Sequence, residues 1–591
     1  MKQTLLKTCV PLSAMVLLAG CVDDNYDLSD IDKTTQVNVK DLVVPVNLDA
    51  IELSNIIEID DDSQIKIVNL DGKEVYAVSQ TGEFNSDPID VASFTAAQPS
   101  IEKAYATFII DLPTQAKTRA AQTLSYHLQS SDPQNVEISA SGVDESIKEI
   151  TALEFNPMKI EMSLSAAGLA QTTDIKLKSI EIQFLKGLTM VNLPSSYHYN
   201  PSSGILTVDN LDCPGNSNHK GTITVTATAL DFTKADATLR NQEFSFDSEV
   251  KLRDAHMDLV VNDQNQLPGN DPIEFEINTT VSELHATYFS GVLEYRLEGD
   301  QLNIDPVSLS DIPDFLANDE TNLRLANPQI YLNLNNPMAA YGLNFQTGLE
   351  LASVRPEGRR PFELDNGELI RVTDAYGVDG PYNFVVSPSL PSEILPGYAK
   401  NIQHVQFSSL SDILAGSGLP QSIEINLLDP ELPRQTVNRF QLDNSIPGVK
   451  GTYDFFAPLA LKTGENGSVI VYSDSDDGWS DEDLDKLTIN TLQITADAYS
   501  TLPIGAELTL YPLDKNGNVM TGVKVDHANI KANANGEQIV LTLSGEIKGL
   551  DGVKYEAVVR PGSEEALSPS QTLTLKNIKA KVSGFYLTDF E

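Results

Sequence analysis

Acidic side chains dominate the reactive groups of this 591-residue chain, with 84 Asp and Glu against 40 Lys and Arg. Two carboxylates flanking a scissile bond are the machinery of glycoside hydrolases. At this density, however, the proximity of two acids singles out no pair. The densest run is SDSDDGWSDEDLD at 473–485. Calcium takes about six to eight hard oxygen ligands and often finds them in Asp-rich loops, so Asp474, Asp476, Asp477 and Asp481 are candidate calcium ligands. An EF-hand register fails: with Gly478 at the sixth loop position, the first and third positions are Ser473 and Ser475 and the twelfth is Leu484. Calcium at this loop is the one candidate cofactor. Trp479, the single tryptophan, lies in the same run and is expected to plug a local core.

The other chemistry-bearing residues are dispersed. His127, His198, His219, His256, His285, His404 and His527 show no H-E-x-x-H and no pair at helical spacing, so a histidine-rich zinc site has no local support. Neither a G-x-S-x-G elbow nor a phosphate-binding glycine loop occurs. Cys213, within LDCPGNSN, is expected to be an inert residue at a strand end. Sugar rings stack on flat aromatics, and YHY (197–199), AYGLNF (340–345) and AYGVDGPYNF (375–384) offer tyrosines for this, although most strand Tyr and Phe serve cores. These patterns predict a protein that is not an enzyme.

The elements that must position these residues are strands. TDIKLKSIEIQFL (173–185), GTITVTATALDF (221–232), PIEFEINTTV (272–281), SVIVYS (468–473) and QTLTLKNIKAKVSGFYL (571–587) alternate apolar and polar residues and are rich in β-branched and aromatic types. Asp71-Gly72, Asn366-Gly367, Asn516-Gly517 and Asn535-Gly536 supply the positive φ of tight turns. No segment shows sustained helical periodicity. The expected fold is all-β, with tandem antiparallel β-sandwich modules of immunoglobulin-like type.

A short repeat supports modularity. L-S-D/N-I occurs at 28–31, 53–56, 309–312 and 410–413, and the last three copies each stand between two strand-like runs. Serine caps a helical turn by accepting from a free amide, so Ser54, Ser310 and Ser411 are expected caps of a strand–turn–strand unit. A fainter echo joins 400–412 with 576–589.

At the N-terminus, Lys2 and Lys7 precede an uncharged, largely apolar stretch at 8–18. That stretch is too short to span a bilayer, which takes about twenty residues, but it suits the core of a secretory signal. Leu18, Ala19 and Gly20 then precede Cys21, and here the sequence resembles the lipobox of bacterial lipoproteins. The resemblance implies cleavage after Gly20 and diacylglycerol on the Cys21 thiol. Several acyl chains, each worth about 0.8 kcal/mol per buried methylene, anchor stably. Asp23, Asp24, Asp27, Asp30 and Asp32 follow directly, a run similar to the export signal of Bacteroidota surface lipoproteins. That similarity implies an outer-membrane address with the chain facing outward.

The expected organisation is a signal peptide (1–20), an acidic tether (21–38), one or more N-terminal β domains (39–255), a middle sandwich (256–404) and one or more C-terminal sandwiches (405–591). A net charge of −44 repels nucleic acid and anionic membrane surfaces. With Cys9 removed and Cys21 acylated, Cys213 alone remains, and a single thiol closes no internal disulfide. The sequence therefore points to a non-enzymatic surface lipoprotein, an interaction or scaffold subunit beside an outer-membrane β-barrel or another lipoprotein. Glycan capture and adhesion are the alternatives.

Overall fold

The structure, a computed structural model, describes residues 34–45, 51–55, 57, 59, 64–70, 72–109, 122–128, 130–262, 272–297, 304–309, 316, 318–373, 382–478 and 487–589. The alternating segments form strands because successive residues point to opposite faces of a sheet. In Thr173–Gln183, Ile175 and Leu177 are buried between exposed Lys176 and Lys178, and the parity changes at a bulge beside Ser179, after which Ile180 and Ile182 point inward. The other four predicted runs appear as Lys220–Asp231, Pro272–Val281, Ile470–Asp476 and Thr572–Asp589. Among the described residues there is no α-helix, only short 3-10 turns, and the fold is all-β, with antiparallel sheets packed as sandwiches. One strand pair, Tyr382–Ser387 with Gln403–Gln406, is parallel.

Three sandwiches follow from the pairings. In the inner one (95–297), a seven-stranded sheet built around Glu243–Val261 and Thr173–Gln183 faces strands Ile147–Ala167, Lys220–Asp231, Pro272–Val281 and Leu284–Arg296. In the middle one, a six-stranded sheet includes Gln329–Asn335, Lys450–Pro458 and Lys73–Asn85. Gln329–Asn335 and Tyr382–Ser387 are buried over nearly their whole length, polar residues included, because both faces of this sheet are covered. One face belongs to the main core; the other, with Tyr331, Val385 and Phe456, lies under Ile394, Leu395 and Tyr398. In the outer one, a six-stranded sheet around Leu487–Ser500 packs on a four-stranded sheet, with Ile489, Leu541 and Leu543 meeting Leu508 and Leu510.

Two features tie these bodies together. Leu284–Arg296 pairs with Ile147–Ala167 on one side and with Ser422–Gln441 on the other, so one twelve-stranded sheet runs through the inner and middle sandwiches. The chain is also nested. Thr34–Pro45 and Ile51–Glu52 pair with Thr572–Asp589 in the outer sandwich, and Ile65–Leu70 and Lys73–Asn85 join the middle one. The linear divisions at 255/256 and 404/405 thus fall inside the strands Glu243–Val261 and Gln403–Gln406. The physical reason is that strand parity reveals a face to bury but not the partner that covers it, and here partners come from opposite ends of the chain.

The L-S-D/N-I repeat is structural in a different way from the expectation. Ile51–Glu52 pairs with the start of Thr572–Asp589 and the Leu53 amide donates to Gln571 O at 3.0 Å; Val307–Ser308 pairs with the start of Ser422–Gln441 and the Leu309 amide donates to Gln421 O at 3.0 Å. Two copies therefore occupy the same place at the mouth of two sandwiches, with the leucine buried in each. Neither described serine stands ahead of its turn. Ser54 lies inside the turn Leu53–Asn55, and Ser411 is inside Ser408–Asp412, whose preceding residue Phe407 offers no side-chain cap. The Ser411 hydroxyl instead donates to Ala326 O at 3.4 Å. Ser310 and the copy at 28–31 lie outside the described residues. The echo of 400–412 in 576–589 does not survive either: one contains the four-residue edge strand Gln403–Gln406, the other most of an 18-residue strand.

Candidate functional site

Glu243–Val261 lies between Gln122–Leu128 and Thr173–Gln183, hydrogen-bonded to both. Its odd-numbered Ala255, Met257 and Leu259 enter the core, which turns Asp254, His256 and Asp258 to the outer face. The register with Gln122–Leu128 sets His127 directly opposite His256. The two imidazole rings stack, with centroids 4.8 Å apart and planes 23° from parallel. Asp254 reaches both: one carboxylate oxygen bonds His127 Nε2, and the other is 3.7 Å from His256 Nε2. One ligand atom from each residue lies within 4.8 Å of the other two. The side chains of His127, His256 and Asp254 are 50%, 63% and 35% exposed.

The surroundings of this group are polar and ordered. Ser125 donates to Asp258 at 2.8 Å, and Lys178 Nζ is 3.7 Å from the same carboxylate. Glu181 stands opposite Asp254 on the neighbouring strand. Two imidazole nitrogens and a carboxylate oxygen converging on a rigid strand pair can share a proton or a cation, because strands hold such geometry more tightly than loops do. The only local cue in the sequence is the D-x-H spacing of Asp254 and His256, which places both on one face of a strand. His127 carries no cue at all, since its partner is set by the register of two distant segments.

The acidic run is placed otherwise than expected. Asp474 and Asp476 belong to the strand Ile470–Asp476, paired with Gly552–Pro561, and among the described residues Asp477 alone of the candidates follows its end. Asp474 is engaged: Tyr555 and Tyr472 hydroxyls donate to one carboxylate oxygen at 3.1 and 3.3 Å, and the Ser475 amide donates to the other at 2.8 Å. Burial, the Tyr472 hydroxyl and the Asp474 charge hold the Tyr555 phenol above its ordinary range. Gly20, Cys21, Asp23, Asp24, Trp479 and Asp481 lie outside the described residues.

Cys213 ends the strand Ile205–Cys213 and is fully buried, which pushes its thiol up to about 12 and keeps it protonated. Of the tyrosine-bearing segments, Tyr199 donates its hydroxyl to Leu185 O at 2.5 Å, and Tyr382 and Phe384 are buried, whereas Tyr341 is exposed. An open cleft of about 370 Å³ lies where the middle and outer sandwiches meet, lined by Asn327, Gln329, Ser389, Glu393 and Glu564 among others. No helix among the described residues is long and apolar enough to cross a membrane.

No family model matches the chain, and no curated protein does. Among solved structures the chain is similar to a candidate secreted protein from Parabacteroides distasonis, at 14% identity and a TM-score of 0.35, over 50% of this chain and 89% of that one. A superposition this loose carries no argument about fold or function.

Proposed function

We propose that this chain is a non-enzymatic surface lipoprotein, anchored in the outer membrane through Cys21, that serves as an interaction or scaffold subunit of an outer-membrane complex. The observation that carries the reading is the twelve-stranded sheet shared by two sandwiches. Separate domains on linkers move relative to one another by default, whereas a shared hydrogen-bonded sheet fixes the faces of both bodies, as a scaffold requires. The pairing of Thr34–Pro45 with Thr572–Asp589 adds to this: the tether leaves from the outer sandwich, and the inner one is carried beyond the middle. A partner is an outer-membrane β-barrel or a second lipoprotein, and the net charge of −44 favours one with basic surface.

Cross-linking in intact cells, followed by recovery of the chain, tests this reading. A barrel or lipoprotein recovered in stoichiometric amount is the expected result; recovery of the chain alone overturns it. Glycan capture is the second reading, favoured by the open cleft, where polar side chains such as Asn327 and Glu564 alternate with apolar ones, and by exposed Tyr341. A polysaccharide panel tests it, and binding that falls in Glu564→Gln would place the glycan in the cleft.

A further inference from the structure

We infer that His127, Asp254 and His256 form a surface site for a divalent transition-metal cation of the zinc type, with a coordination position left open to solvent. The donor set decides the class of ion. Calcium and magnesium select oxygen ligands, whereas imidazole nitrogen suits zinc and its neighbours, and two histidines with one carboxylate are an established zinc ligand combination. The inference is independent of the scaffold reading, since it concerns one face of the inner sandwich whatever that body does.

The geometry is close to what the ion needs. Zinc–nitrogen bonds of about 2.0–2.1 Å in a tetrahedral centre set ligand atoms roughly 3.3 Å apart. The three candidate atoms already lie within 4.8 Å of one another. Closing the remaining gap takes side-chain rotation alone, and the half-exposed rings have room for it. The backbone need not move. His127 and His256 are directly opposed in register, Asp254 is two residues away on the same face, and Ala255 and Met257 beneath them are locked in the core. Register, face and burial thus place three ligands at one point.

Three protein ligands leave the fourth tetrahedral position for water or an incoming group. Glu181 stands opposite Asp254 on the next strand, and Asp258 follows His256 on the same face, so further carboxylates border the site. A site of this kind on an exposed sheet face can take a histidine or carboxylate from another molecule as its last ligand.

The test is calorimetric titration of the EDTA-stripped full chain with zinc chloride, beside His127→Ala, His256→Ala, the double variant and Asp254→Asn. The expected result is one zinc per chain with a raised Tm, binding abolished in the double variant, and affinity lowered at least about tenfold in Asp254→Asn. Calcium chloride is not expected to compete for the site. The two histidine side chains are half-exposed or more, so the metal-free histidine variants should melt with the parent, and this separates loss of binding from loss of fold. Absence of saturable zinc binding in the parent overturns the proposal, as does unchanged binding in the double variant.

Discussion

Arg355 is buried, and its guanidinium donates to three backbone carbonyls, Leu414 at 2.8 Å, Ser417 at 2.9 Å and Gly418 at 3.1 Å. Burial lowers its pKa, so the fork must recover its hydration cost through these bonds. Arg355→Ala is expected to cost about 3 kcal/mol in denaturant unfolding, because hydrogen bonds to charged groups are strong and the carbonyls lose their donors. Arg355→Lys should recover less than half of that, since an ammonium cannot reach three acceptors from one plane. At the join of the inner and middle sandwiches, Asp443 accepts from the Ser93 hydroxyl at 2.5 Å and the Ser93 amide at 2.8 Å, bonds that hold its carboxyl below its ordinary value. A depressed folded-state pKa means stability present above the unfolded value and lost as pH falls through the folded one. Asp443→Asn should therefore lower stability at neutral pH and flatten its fall in acid, as Tm against pH would report. At this scale the sequence showed what could be buried but not what would meet. Leu53, Leu309 and Leu410 are buried as their apolar character suggests, whereas Ser54 and Ser411 took partners that no spacing announced. His127 and His256 looked unrelated because a cross-strand pair leaves no spacing in the chain.

Among the elements, the strand Leu284–Arg296 has the largest structural consequence. Gly291 pairs with Ile150 on one side and Val437 on the other, with register shifts next to it in both ladders. A Cβ at that position would overlap the carbonyl oxygen of Glu149. Gly291→Ala is expected to cost about 1–3 kcal/mol, the usual penalty of overpacking, measured as a lowered Tm. A neutral substitution would mean that the two ladders do not meet there as closely as described. Strands were the most legible elements, because all five alternating runs gave the type, and in Lys220–Asp231 and Pro272–Val281 parity gave the buried face as well. The acidic run was less so: Ile470–Asp476 extends through residues whose side chains suggest a loop, held by its ladder with Gly552–Pro561. Turn dipeptides were mixed. Gly72 closes the hairpin between Ile65–Leu70 and Lys73–Asn85, but Asn366-Gly367 forms a short 3-10 turn between strands that do not pair with each other.

For the whole molecule, nesting makes the first strands structural parts of the last sandwich. Removing residues 21–52 should therefore destabilise the segment 470–589, read as increased amide exchange in Leu487–Ser500 and Thr572–Asp589, with smaller change in the inner sandwich. Equal exchange in both would contradict the pairing of Thr34–Pro45 with the final strand. None of this was visible in the sequence, since hydrophobic alternation carries no information about partners hundreds of residues away. The same topology puts the first described strand, Thr34–Pro45, in the outer sandwich and the histidine pair on the inner one. A surface lipoprotein is an anchored body that faces the medium, and protease treatment of intact cells tests this directly. External proteinase K is expected to degrade the chain in whole cells, and Cys21→Ala to leave the membrane fraction; a chain that stays intact until the outer membrane is opened would contradict the proposed surface role.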